Sequence, residues 1–124
     1  VVITSPKGSG MRNAVKKMIL QEKDYLNREI VSAIVAASDQ QVSLFPVGIT
    51  AVSRSMLNAD HVKTVKVDGV AATAENVATG KYSLTKPLTL VTNGEPQGDL
   101  ARFIALVKSP KGKGALQRSF VPAE

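Results

Sequence analysis

Ser5-Pro6-Lys7-Gly8-Ser9-Gly10-Met11-Arg12 is the stretch on which the reading of this chain turns. A short apolar run, Val1-Val2-Ile3-Thr4, leads into it. A helical pattern follows at once, with Ala14, Val15, Met18 and Ile19 on one side. Glycines on both sides of Ser9 let the backbone bend tightly, and serine is a good helix N-cap. The first turn of a helix carries unpaired N–H donors and the positive end of the helix dipole. Strand, glycine turn and helix in that order make a ready place for an anion.

Composition narrows the partners. At 124 residues the chain is one domain by length or a piece of a larger one. The net charge of +6 favours anionic partners, whether phosphate-like ligands, nucleic acid or an acidic protein surface. The basic residues are scattered, apart from a modest cluster at Lys108, Lys111, Lys113 and Arg118 that reads as a solvated face. Nucleic-acid binding would want aromatic side chains interleaved with that charge, whereas Phe103 and Phe120 read as core positions. Without cysteine, thiol catalysis, disulfides and Cys-based zinc sites are excluded. No apolar run approaches the ~18 residues of a membrane span. The chain begins Val-Val, with no visible signal peptide, so an upstream segment is expected to have been removed.

Working outward, a second helical pattern opens at Asp24, with Leu26, Ile30, Ile34 and Ala37 at helical spacing and Asp24 one turn from Arg28. Asp39-Gln40-Gln41 is expected to end it. A loop then leads past Pro46 into a short strand near Val47 to Thr50. Val62, Val65 and Val67 mark a β segment stopped by Asp68-Gly69. Thr73 to Gly80 reads as a short helix closed by glycine, and Tyr82 to Thr92 as an extended stretch. Leu100, Phe103, Ile104 and Val107 give the clearest amphipathic helix, and Ser109-Pro110 opens another. Alternating strands and helices predict an α/β fold. His61 beside Asp60 reads as a surface loop position, Asp60 and Asp68 lack metal-ligand spacing, and no nucleophile is placed with a base. No catalytic residue, metal site or cofactor is therefore expected.

Taken together, Gly8-Ser-Gly-Met-Arg12, Pro46-Val-Gly-Ile49, Val67-Asp-Gly-Val70, Thr73 through Tyr82, Lys86-Pro-Leu-Thr-Leu-Val91, Phe103 through Ser109 and Phe120-Val-Pro122 resemble the phosphate-binding proteins of ABC transporters. The resemblance runs in the same order over nearly the whole chain. It implies a periplasmic-binding-protein-like lobe, a mixed sheet flanked by helices. Residues 1–86 would form the second lobe, and residues 87–124 the crossover strand and C-terminal helices that pack on a first lobe largely absent here. It implies that Ser9 donates its hydroxyl to a phosphate oxygen and that Gly10 and Met11 offer backbone N–H groups.

Three departures from the family pattern bear on this. The family usually has Arg where Ser5 stands, an acidic residue where Lys7 stands and Thr where Met11 stands. Lys7 would restore part of the lost positive charge, without a planar fork. Losing the carboxylate also removes the usual means of favouring hydrogen-phosphate over sulfate. The implied function is extracytoplasmic binding of phosphate or a related oxyanion, handed to a membrane permease. Two other readings stand beside it. One is a ligand-free module for protein contacts, self-associating through the face left by the missing lobe, with Leu100, Phe103 and Phe120 exposed. The other is a basic nucleic-acid binder, resting on charge alone.

Overall fold

The computed structural model describes residues 1–33 and 38–122. They pack as two compact units, Val1–Ala71 and Ala72–Glu124.

The first unit is built on three short parallel strands, β1 (Val2–Thr4), β2 (Ile30–Val31) and β3 (Ile49–Thr50), in the order β2-β1-β3. Ile3 sits opposite Ile30 on one side and Thr50 on the other, so β1 is the central strand. Helix α1 (Gly10–Met18) carries the chain from β1 to β2, and α2 (Ser38–Ser43) packs against β1 and β3. Connections of this kind are what parallel pairing requires. Ile3 on β1 and Val15 on α1 are the buried apolar residues among those described, whereas Met18 and Ile19, expected on the same side of α1 as Val15, are exposed. Around them the buried set is polar: Thr4, Ser5, Arg12, Ser32, Ser38 and Asp39.

Residues 24–29 are not helical. They form an irregular loop in which Asn27 takes a left-handed φ of 56°, and Ile30–Val31 is strand β2. The Asp24 carboxylate accepts from the Tyr25 N–H and from Arg12, and is not spent on Arg28. Those two bonds hold the loop outside helical geometry. Ile34 and Ala37 lie outside the described residues. Asp39, expected to end a helix, stands in the first turn of α2, where a carboxylate suits the positive helix end. Its oxygens accept from Gln40 N and Asn58 N, both at 2.9 Å. The β segment around Val62 to Val67 reduces to one antiparallel bridge, Val67 to Val70, closed by Asp68 and Gly69 at φ 50° and 78°. Two consecutive left-handed residues are what a tight Asp-Gly hairpin turn demands.

In the second unit, α3 (Ala74–Ala78) is capped by Thr73, whose hydroxyl accepts from Asn76 N at 3.1 Å, and Gly80 closes it at φ 69°. Residues 81–97, read as extended from Tyr82 to Thr92, form no ladder among the described residues. Helices α4 (Gly98–Lys108) and α5 (Pro110–Leu116) pack on each other through a one-residue turn at Ser109. The Ser109 hydroxyl caps α5 by accepting from Gly112 N at 3.2 Å. Phe103 and Phe120, expected in a core, are 53% and 38% exposed, and Leu100 and Leu106 stand open beside Phe103 on α4.

Leu26, Leu44, Val47, Leu88 and Val91 all stand open to solvent.

Candidate functional site

Parallel α/β sheets bind ligands outside the carboxyl ends of their strands, where successive crossovers leave in opposite directions. Here the chain leaves β1 for β2 on one side and then returns to β3 on the other. The stretch Ser5–Arg12 issues from the carboxyl end of β1 at that switch point. Gly8 takes φ 83°, a left-handed value that costs glycine little, and Ser9 N–H closes the turn onto Pro6 O at 3.1 Å. Ser9 then caps α1, its Oγ accepting from Arg12 N at 3.2 Å.

That cap decides which donors stay unpaired. Of the first-turn N–H groups, Arg12 N–H is taken by Ser9, which leaves those of Gly10 and Met11. The Ser9 oxygen spends a lone pair on the cap, so its hydroxyl proton remains free to donate. Lys7 is exposed beside the turn, a flexible ammonium within the same loop. The structure therefore gathers Lys7, Ser9, Gly10 and Met11 in one loop and helix start, a set made of donors with no carboxylate.

Arg12 is the one arginine buried among the described residues, and it is already engaged. Its NH1 group donates to Ser5 O at 3.4 Å, and NH2 donates to Asp24 Oδ1 at 2.9 Å and Glu29 Oε1 at 3.0 Å. The guanidinium lies 4.7 Å from the centre of the Tyr25 ring. Burial works against its charge, but the bonds and field of the two carboxylates outweigh that and raise its pKa. The Asp24 carboxyl is held below its ordinary value first by the Tyr25 N–H and then by Arg12. Glu29 is lowered chiefly by its own backbone N–H, with burial opposing and Arg12 assisting. Sequence reasoning missed this network because its partners lie twelve and seventeen residues from Arg12, at no helical or strand period.

Two hydroxyls near the switch point were also not singled out as site groups. Ser5, at the end of β1, is 2% exposed with no partner for its Oγ, and Thr50 Oγ1 at the end of β3 is likewise buried and unpaired. Elsewhere, Arg54 opens a 3-10 turn, Arg54–Met56, with its side chain in solvent, and His61 is an exposed loop residue. Among the described residues no group of three His, Asp or Glu side chains gathers to hold a metal, and no helix is long and apolar enough to cross a membrane.

The architecture, helices around a small parallel sheet with a donor loop at its carboxyl edge, is that of a periplasmic-binding-protein-like α/β lobe. No protein-family model matches the chain. Over 134 aligned residues it is 25% identical to the phosphate-binding protein PstS 2 of Streptococcus agalactiae serotype V, and equally to that of serotype III. Each alignment covers 99% of this chain and 45% of the relative. A solved phosphate ABC transporter substrate-binding protein from Clostridium perfringens, with bound phosphate, superposes at a TM-score of 0.87 with 27% identity. That superposition covers all of this chain and 52% of the other. The chain thus spans about half the length of the curated relatives it matches. These comparisons support the phosphate-binding protein family for the chain, as a partial lobe of such a protein.

Proposed function

We propose that the chain is the second lobe of an extracytoplasmic solute-binding protein that takes up phosphate or a related oxyanion and presents it to an ABC-type membrane permease. Binding, with no chemical step, is its activity. Ser9 donates its hydroxyl, Gly10 and Met11 their N–H groups, and Lys7 a point charge. Residues 87–124 cross back toward a first lobe, and closure of the two lobes buries the ligand. The observation that carries the reading is the donor-only start of α1 at the switch point. It occurs in a fold that superposes at 0.87 on a protein solved with bound phosphate.

The donor set also bears on selectivity. No carboxylate stands in Ser5–Arg12 to accept the proton of hydrogen-phosphate. This half of the site then treats phosphate and sulfate more alike than an acid-containing loop would. Thermal unfolding with added phosphate, and with sulfate at matched ionic strength, tests the reading. A ligand at a hundred times its Kd stabilises by about 2.7 kcal/mol. Stabilisation by either anion that Ser9→Ala diminishes is the expected result. Stabilisation that Ser9→Ala leaves intact refutes the assignment of the loop.

The open apolar surface of α4 and the residues after α5 favours a second reading, a lobe-like module that works through protein contacts. It predicts concentration-dependent self-association abolished by Phe103→Glu. A monomeric sedimentation profile at high concentration would count against it.

A further inference from the structure

We propose that Arg12 is the positioning residue of the Ser5–Met11 loop, holding its backbone in shape while making no contact of its own with an anion. The inference rests on the reading that an anion is held at Ser9, Gly10 and Met11.

Arg12 is 4% exposed, so its guanidinium is closed off from solvent. Its contacts come from three separate places: Ser5 O at the end of β1, Asp24 and Tyr25 in the loop after α1, and Glu29 just before β2. One planar group thereby ties the start of the anion loop to the segment that leads into the neighbouring strand. Its backbone N–H adds a fourth tie, since it anchors Ser9 Oγ and so sets where the Ser9 hydroxyl proton points. Loop and helix start are clamped from both ends by the same residue.

Charge separates this role from that of a ligand. Two carboxylates face one guanidinium, so Arg12 with Asp24 and Glu29 carries a net charge of about −1. Lys16, whose charge also acts on Asp24, brings the local sum to about zero. The cluster offers an incoming anion no attraction, and the NH2 donors point at carboxylates. What Arg12 contributes is geometry. Lysine cannot reproduce it, because a single ammonium cannot reach Ser5 O while also serving two carboxylates.

The test compares the chain with Arg12→Lys, and with Ser9→Ala as a check on the site. Amide hydrogen exchange is measured residue by residue, and phosphate and sulfate affinities are measured by calorimetry at a temperature where each variant is folded. Arg12→Lys is expected to lower protection of the Ser9 amide at least tenfold while the Ile19 amide, bonded to Val15 O at the far end of α1, keeps its protection. Affinity for both anions falls at least tenfold with it. A global loss of stability would strip Ile19 as well and would leave the affinity of the folded fraction unchanged. Unaltered Ser9 protection, or affinity within twofold of the parent, overturns the proposal. Ser9→Ala with undiminished anion binding overturns the site itself, a different failure. If Arg12→Lys does not fold, Asp24→Ala removes only the half-exposed partner. It is expected to loosen Ser9 and weaken binding severalfold, and no change in either refutes the strut.

Discussion

Gly112 and Gly114 lie two residues apart in α5, and the structure assigns opposite signs to the same substitution at each. A Cβ built on Gly112 falls 2.5 Å from Val107 O and 2.7 Å from Val107 Cα, and meets Leu106 O as well. All three are backbone atoms of the last turn of α4. Comfortable carbon contacts begin near ~3.5 Å, so the methyl overlaps its neighbours by about 1 Å. No side chain can swing aside; one helix end must move. Overpacking of this kind costs about 1–3 kcal/mol, and rigid backbone on the receiving side puts Gly112→Ala at the upper end. Alanine in place of glycine returns about 1 kcal/mol of helix propensity, leaving a net loss of about 2 kcal/mol. A Cβ on Gly114 meets nothing within 4 Å, so Gly114→Ala keeps the propensity gain of up to about 1 kcal/mol. Urea unfolding followed by circular dichroism measures both. In melting temperature the two variants should move apart, Gly112→Ala down by on the order of 10 °C and Gly114→Ala up by a few. If Gly112→Ala proves as stable as Gly114→Ala, the close approach of α5 to α4 is wrong.

Ser9→Ala should cost about 1 kcal/mol through the lost N-cap, and Ser9→Gly only a few tenths; equal costs for the two in urea unfolding would contradict the cap. Gly8→Ala meets no atom but must hold φ 83°, so a loss of about 1 kcal/mol is expected from backbone strain alone, checked by the same assay. The pKa values of Asp24 and Glu29 are lowered in the folded chain, so their contribution is fully present above the unfolded carboxylate values of 3.8 and 4.5 and is lost as pH falls through the lowered ones. Arg12→Met should therefore destabilise strongly at neutral pH and progressively less on acidification; a penalty independent of pH would show that the ion pairs do not carry it.

Local chemistry was legible where neighbouring residues settle the structure among themselves. Ser9 and Ser109 cap the helices that follow them, each with its own hydroxyl. Asp68-Gly69 turns as that pair should, and the Gly8 turn ahead of α1 was readable for the same reason. The failure at residues 24–31 has a different origin. Leu26 and Ile30 have helical spacing by coincidence, and Asp24 is claimed by a guanidinium twelve residues away. Strand β2 has two residues, too few to display an alternation, and left-handed Gln21, Glu22 and Asn27 leave no mark in composition. Helix α2, Ser-Asp-Gln-Gln-Val-Ser, has no apolar period because contact with β1 and β3 sustains it. Ser5 was weighed only as an absent arginine; its burial with an unpaired hydroxyl depends on where β1 ends in the sheet.

The scarcity of enclosed apolar side chains, Ile3 and Val15 among the described residues, has a thermodynamic consequence. Much of the hydrophobic free energy available to this sequence is still unspent at its surface, on residues such as Phe103, Leu88 and Val91. A partner that covered them would enter the folding equilibrium as a reactant and make the melting temperature a function of its concentration.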